Sequence, residues 1–337
     1  MTRRAGWTRI GTRRSFRYLD SSGKRLTDAA VVERLDKLAI PPAWRDIWIA
    51  PGARAKLQAT GLDAAGRRQY IYHPAFRAQQ EAAKFGSLIR FAEKLPDVRQ
   101  AMGEHMMLDP LDPLRVCAIA VRLTNLSWFR VGSDRYAKQS RTYGVTTLFK
   151  SHVEVRGTRL AFRFRAKHKI QVRTAIVDFE LAEAIKALQE TRGSRLFRYE
   201  VDGKLCNLTD RRLNEYIKEH MDTDFTSKDF RTWGGTLLAA IAFAERGPVE
   251  EKGEQKRAVV AVMRRVALQL GNTPAVTRAS YVSPAVIDQY LEGRTIEDFR
   301  PRHLRIVTAR DIGLDREEQA TLSLLRSHRI RCAREAA

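Results

Sequence analysis

A chain of 337 residues is longer than one typical core needs, and 44% hydrophobic with 30% charged residues is an ordinary globular balance. Intrinsic disorder and fibrous or low-complexity classes are excluded. The imbalance is electrostatic: 61 Lys+Arg against 39 Asp+Glu give a formal charge of +22, which points to a polyanionic partner. Apolar runs are short and broken by cations, as at Val116-Cys117-Ala118-Ile119-Ala120-Val121-Arg122, so no membrane span is expected. The start, Met1-Thr2-Arg3-Arg4-Ala5-Gly6-Trp7, is basic but has no apolar stretch of a signal peptide behind it. Cys117, Cys206 and Cys332 are far apart and lack zinc-type spacing, so they read as reduced thiols, with Cys117 in the core.

In chain order, Phe16 to Leu19 and Lys24 to Leu26 flank an Asp20-Ser21-Ser22-Gly23 turn and predict a hairpin. Thr27 then caps a helix with Val31, Leu35 and Leu38 on one face, stopped by Pro41-Pro42. Trp48 to Ala50 and Gln69 to Tyr72 are strands, separated by Pro51-Gly52 and a loop from Gly61 to Gly66. Pro74 to Leu95 reads as one helix and Pro96 as the opening of the next. Pro113 to Leu126 is an apolar helix. Four short strands follow at Val145 to Phe149, His152 to Val155, Leu160 to Phe164 and Lys169 to Arg173, a three- or four-stranded antiparallel insert with turns at Arg156-Gly157-Thr158 and Ala166-Lys167-His168. Helices resume at Asp178 to Leu188, Asp210 to Met221 behind Thr209, Lys228 to Glu245 behind Ser227, and Glu254 to Leu270, which Gly271 ends. Pro274 begins another helix carrying Tyr281, and the basic, weakly patterned tail from Ile296 to Ala337 receives no role.

The chain has no phosphate-binding Gly-x-x-x-x-Gly-Lys loop, no Gly-x-Gly-x-x-Gly turn, no His-Glu-x-x-His and no Gly-x-Ser-x-Gly elbow. Nucleotide-driven, zinc-hydrolytic and serine-hydrolase chemistries lose their main supports. Five segments remain conspicuous, each with an ordinary reading beside the functional one. Arg130 in Ser127-Trp128-Phe129-Arg130-Val131-Gly132 reads alone as a cation at a helix C-terminus. Lys167 in Arg165-Ala166-Lys167-His168-Lys169 reads alone as a solvated turn charge. Arg231, in the first turn behind Ser227, sits at the positive end of a helix and demands a compensating carboxylate or phosphate. Asn272 follows Leu270-Gly271, and nine residues later comes Tyr281, alone an ordinary core or interface tyrosine.

Taken together, these segments resemble the type IB DNA topoisomerases, specifically the compact poxviral and bacterial branch. Members carry Arg, Lys, Arg, His-or-Asn and Tyr in that chain order, matched here by Arg130, Lys167, Arg231, Asn272 and Tyr281. The resemblance runs from about Tyr18 to about Gly293. It extends to Asp63-Ala64-Ala65-Gly66-Arg67-Arg68-Gln69-Tyr70-Ile71-Tyr72, similar to the family's DNA-contacting strand and loop; Arg67, Arg68, Gln69, Tyr70, Tyr72 and also Tyr136 are implied DNA contacts. Without the family, Tyr70 and Tyr72 are one face of a strand, half core and half surface. Poxviral and nuclear members place histidine where this chain has Asn272, whose neutral amide donates to a phosphate oxygen but does not titrate.

The resemblance implies an α+β fold: a small β-rich N-terminal DNA-binding domain (residues 1–90) and a larger, mainly α catalytic domain (91–337) with an antiparallel β insert, closing as a clamp on duplex DNA. It implies relaxation of supercoils through a 3′-phosphotyrosyl bond to Tyr281 and religation without ATP. Arg130, Arg231 and Asn272 would stabilise the phosphate oxygens, with Lys167 as general acid. No cofactor or resident metal is implied, a divalent cation being at most stimulatory. The implied setting is a monomer on double-stranded DNA in the bacterial cytoplasm, at the nucleoid. A tyrosine site-specific recombinase is the alternative; its second arginine usually stands in His-x-x-Arg, whereas Lys228 here makes Lys-x-x-Arg. A non-catalytic basic binding protein rests on charge alone.

Overall fold

The computed structural model describes residues 5–12, 15–300 and 313–335. Two compact units divide after Lys84 rather than after residue 90. The reason is packing: Phe85, Leu88 and Ile89 join the core of the larger unit.

In the smaller unit, β1 (Thr8–Thr12) pairs antiparallel with β2 (Ser15–Leu19). The Asp20 turn forms, its carboxylate accepting from the backbone N–H of Ser22 (2.8 Å) and Lys24 (2.9 Å), and the expected hairpin closes by an antiparallel bridge between Leu19 and Arg25, with Leu26 N donating to Tyr18 O (2.9 Å); β2 takes its longer partner, β1, from upstream. Helix α1 (Ala29–Lys37) is capped by Asp28, whose side chain accepts from Val31 N, so the cap lies one residue later than Thr27. A meander of β3 (Arg45–Ile49), β4 (Leu57–Leu62) and β5 (Arg68–Tyr72) follows; β4 was not expected, because Gly61 lies inside it. Tyr18, Leu35, Ile40, Ile47, Ile49 and Ala59 form the core between these elements. Along β5 the side chains alternate, leaving Arg68, Tyr70 and Tyr72 outward and Gln69 and Ile71 turned in.

Helix α2 (Pro74–Gly86) leads into the larger unit, where α3 (Leu88–His105) carries Pro96 in its interior. Proline usually opens or breaks a helix. Here Phe91, Ala92, Leu95, Val98 and Met102 are all buried on one face, and their packing carries the helix through. Helix α4 (Pro113–Ser127) is capped by Asp112 and centrally buried, with Cys117 inside; burial pushes its thiol up to about 12. After the short α5 (Asp134–Ser140), the expected strand at Val145 is a 3-10 turn, Val145–Thr147. Its amides are committed elsewhere: Val145 N donates to Arg130 O (2.9 Å) and Thr146 N to Val131 O (2.8 Å).

The β insert has three strands, β6 (Val153–Arg156), β7 (Arg159–Arg165) and β8 (Gln171–Val177), in that order. Helix α6 (Phe179–Glu190) precedes a hairpin of β9 (Arg198–Val201) and β10 (Lys204–Asn207) turning at Asp202-Gly203, a strong turn pair absent from the expected elements. Then come α7 (Asp210–His220), α8 (Ser227–Arg246), α9 (Lys252–Leu270), α10 (Pro274–Ser280) and α11 (Pro284–Leu291). The tail forms α12 (Arg316–Glu335), with Ala320, Thr321, Leu322, Leu324 and Leu325 buried. Residues 301–312 of that tail lie outside the described ones.

Candidate active site

Four of the five singled-out residues come together where helix ends meet. Helix α8 begins with a capping box, Thr226 N donating to Asp229 Oδ2 (2.9 Å), so the cap is Thr226 rather than Ser227. Arg231, one turn inside, is only 5% exposed. The negative group its position demands is neither a carboxylate nor, in the protein, a phosphate. Arg231 Nη1 donates to Trp128 O and Nη2 to Leu270 O (2.8 Å), the C-terminal carbonyls of α4 and α9. Both are the negative ends of helix dipoles, so the guanidinium is held by partial charges and keeps its own net charge.

Burial, together with Arg130 nearby, brings the Arg231 guanidinium down to about 10 against the opposing pull of Tyr281, so it is cationic at neutral pH. Burial lowers Arg130 as well. Trp128, which offers its carbonyl, adopts φ 52°, an unusual left-handed cap for a bulky residue.

Asn272 is placed by the end of α9. Gly271 adopts φ 60°, and Asn272 N reaches back to Ala267 O (2.9 Å), a closure that turns the chain and satisfies a terminal carbonyl. Arg130 Nη2 donates to Asn272 Oδ1 and to Gly271 O (3.3 Å). Because a guanidinium has donors only, this bond fixes which amide atom faces it. Asn272 Nδ2 and Arg231 Nε are then buried donors without a protein acceptor among the described residues.

Tyr281 closes α10, its N–H bonded to Thr277 O (2.9 Å), and the Arg231 Cζ lies 5.1 Å from its ring centroid. Its backbone rests on α8: Thr236 Oγ1 donates to Tyr281 O (3.3 Å) and accepts from Ser283 N (3.1 Å). Gly235 permits that approach, since a Cβ there would sit 2.5 Å from Tyr281 O. The Gly234-Gly235 pair inside a predicted helix was the available signal for this contact.

Lys167 stands apart from these four, exposed on the 3-10 turn Lys167–Lys169 between β7 and β8. Its neighbours Ala166 and Ile170 line a cavity of about 440 Å³ together with Arg130, Arg231 and Gly271.

In the smaller unit, Tyr70 and Tyr72 are 51% and 43% exposed and stack at 6.2 Å, which removes the half-core reading of this strand. Arg68 shares their face and lies 3.5 Å from Asp46. Arg67 and Gln69 are instead fastened to Asp63, by an ion pair of 2.7 Å and a hydrogen bond of 3.0 Å, and the Arg67 hydrogen bonds hold that carboxyl down to about 2. Tyr136 is exposed on α5.

Among the described residues no helix is long and apolar enough to cross a membrane, and no cluster of three or more His, Cys, Asp or Glu side chains could hold a metal ion. Residues 73–298 match the family described as eukaryotic DNA topoisomerase I, catalytic core, and residues 15–63 the bacterial DNA topoisomerase IB N-terminal domain. The DNA topoisomerase 1B of Acanthamoeba polyphaga mimivirus is 31% identical over 283 residues, covering 82% of this chain and 84% of the viral protein. That of vaccinia virus (strain Copenhagen) is 20% identical over 265 residues, 78% of this chain and 77% of its own. The chain belongs to the type IB DNA topoisomerases, isomerases that act on DNA.

Proposed function

We propose that Tyr281 is the nucleophile of a metal-independent strand-cleavage site for duplex DNA. The observation that carries this reading is that Asn272 Nδ2 and Arg231 Nε are buried donors without an acceptor among the described residues, with the Arg130 guanidinium and Tyr281 nearby. Buried donors without acceptors are costly, and a phosphate oxygen is the acceptor that would satisfy them.

In the reaction, the Tyr281 oxygen attacks phosphorus as its proton passes to water. The bond from phosphorus to the 5′ oxygen breaks, its electron pair staying on that oxygen. Arg130 and Arg231 neutralise the extra charge on the non-bridging oxygens with charge-assisted hydrogen bonds. Asn272 adds a neutral donor and moves no proton. Lys167, on its exposed turn, gives the departing 5′ oxygen a proton. The phosphotyrosyl ester keeps the bond energy, so religation by the reverse path needs neither ATP nor another cofactor. Divalent ions act at most on the DNA.

Tyr70, Tyr72 and Arg68 form an exposed aromatic and cationic face suited to a DNA groove. Arg67 and Gln69, held by Asp63, shape the loop beside it. Tyr136 is a further contact. The enzyme works as a monomer, in the cytoplasm of a bacterium, on the nucleoid; Asn272 in place of histidine and the bacterial N-terminal match support that origin.

The test is relaxation of supercoiled plasmid in EDTA without ATP. Wild type should give a distribution of relaxed topoisomers and a detergent-trapped covalent adduct. Tyr281→Phe should bind duplex and give neither. Recombinant products would mean strand exchange instead, and an adduct with Tyr281→Phe would overturn the nucleophile.

A further inference from the structure

Lys167 stands on a turn with two legs, and each leg is fastened differently. The leg leaving β7 is held by its backbone: Arg165 O accepts from Tyr143 N (2.8 Å), and Ala166 is buried. The leg entering β8 begins with Ile170, whose carbonyl accepts from Ala166 N (2.8 Å) and closes the turn around Lys167, His168 and Lys169. His168 (φ 62°) and Lys169 (φ 60°) are both left-handed, a conformation that side-chain-bearing residues adopt at a cost. Two such residues in succession persist only where the surroundings over-determine the turn.

The side chain of Ile170 supplies a constraint of that kind. Side chains alternate along a strand, so Ile170 continues the row of Val172 and Ile176, which pack against the core, while Gln171 and Arg173 are exposed. The row outruns the sheet. The last pair of β7 and β8 is Arg165 with Gln171, and Ile170, one residue beyond, lines the cavity that contains Arg130, Arg231 and Gly271. Its Cγ2 lies 3.8 Å from where a Cβ on Gly271 would stand, an ordinary van der Waals approach to that glycine. Gly271 is also the residue whose φ of 60° turns the chain into Asn272 and whose carbonyl accepts from Arg130 Nη2 (3.3 Å). One apolar contact therefore joins the Lys167 turn to the point where Arg130 and Asn272 are held.

We infer that Ile170 is a positioning residue for Lys167: seated on Gly271, it sets where the lysine stands relative to Arg130 and Asn272. The inference rests on the reading of Lys167 as the general acid. Three residues separate Ala166 from Ile170 and a backbone hydrogen bond spans them, so Lys167 moves when Ile170 moves. Trimming Ile170 to alanine keeps the turn's charge and backbone but removes its seat. A proton donor displaced by about 1 Å loses about 10²-fold in rate. That loss falls on the proton given to the departing 5′ oxygen, and leaves the charge placed against the non-bridging oxygens intact.

The test measures single-turnover formation of the detergent-trapped adduct on two duplexes, one ordinary and one with sulfur at the bridging 5′ position, whose thiolate leaves without a proton. Ile170→Ala should be about 10²-fold slower than wild type on the ordinary duplex and near wild type on the sulfur duplex, with equilibrium binding unchanged. Ile170→Val, which keeps a γ methyl for Gly271, should recover most of the ordinary rate. Ile170→Ala/Lys167→Ala should be no slower than Lys167→Ala, because one proton transfer can be lost only once. Ile170→Ala at the wild-type rate on the ordinary duplex overturns the inference. So does an Ile170→Ala equally slow on both duplexes, the result that a damaged fold or a disturbed Arg130 would also give. An Ile170→Val as slow as Ile170→Ala, or a double variant in which the two losses multiply, overturns it as well. If Lys167→Ala is itself equally slow on both duplexes, the general-acid reading falls and the inference falls with it. If sulfur restores Lys167→Ala but not Ile170→Ala, the inference alone fails.

Discussion

Replacing Gly235 by alanine tests whether the seating of Tyr281 on α8 sets the rate of cleavage. The added Cβ would lie 2.5 Å from Tyr281 O and 3.0 Å from Tyr281 Cβ, where ordinary contact begins at 3.4 Å. Both are close to backbone, and α8 is buried along Phe230, Trp233 and Phe243, so the helix has little freedom to retreat. The tyrosine segment must move by about 1 Å, with an overpacking cost of about 1–3 kcal/mol. A displacement of that size at a reacting group costs about 10²-fold in rate. Single-turnover formation of the detergent-trapped adduct on a duplex should therefore slow by about 10²-fold while equilibrium DNA binding holds. Gly103→Ala is the control: nothing lies within 4 Å of its Cβ, and inside α3 it should gain about 0.5–1 kcal/mol in denaturant unfolding with no change in cleavage. A Gly235→Ala enzyme that cleaves at the wild-type rate would refute the reasoning.

Lys167→Ala should slow cleavage by about 10²–10⁴-fold, and a substrate with sulfur at the bridging 5′ position, which leaves without a proton, should restore the rate. Arg231→Ala should not be rescued in this way; a Lys167→Ala enzyme equally slow on both substrates would remove the lysine from the proton-transfer role. Tyr70→Ala and Tyr72→Ala should fold normally, both side chains being exposed, and each should reduce discrimination among cleavage sites by about 1–3 kcal/mol, read from relative cleavage of a duplex panel. Arg99→Met should cost about 3–5 kcal/mol in thermal or denaturant unfolding, because it strands the buried Glu318 that Arg99 holds by paired bonds of 2.7 and 2.9 Å. Burial alone would raise the Glu318 carboxyl, but the Arg99 bonds win and hold it below the usual carboxylate range. The pair's stabilisation is then complete above about pH 4.3 and lost as pH falls through the depressed native value, an acid limb that Arg99→Met should lack.

Most of the longer helices were legible in the sequence because their signals are local, while the short α5 and α11 were not read. Thr209 before Asp210 and Gly271 after Leu270 are caps that act within one turn. The five proposed site residues were singled out by their order and spacing along the chain, a family pattern that needs no coordinates. Where local signals competed with packing, they lost: Pro96 lies inside α3, and the Val145 segment spends its amides on Arg130 and Val131 instead of a neighbouring strand. The C-terminal helix α12 had too weak a pattern to read. Its Glu318 nonetheless binds Arg99 and accepts from Trp233 Nε1 at 3.3 Å, two residues from Arg231.

The sequence by itself marked the candidate side chains and most of the longer helices around them, since composition, caps and motif spacing act over a few residues. Only the tertiary structure decided how Arg231 is compensated at a positive helix end. The carbonyls of Trp128 and Leu270 that hold it lie 103 and 39 residues away, brought to it by the packing of α4 and α9 against α8. The same packing leaves Asn272 Nδ2 and Arg231 Nε buried and without an acceptor among the described residues. An unpaired buried donor is a property of the space around an atom, and that space exists only once distant helix ends have met.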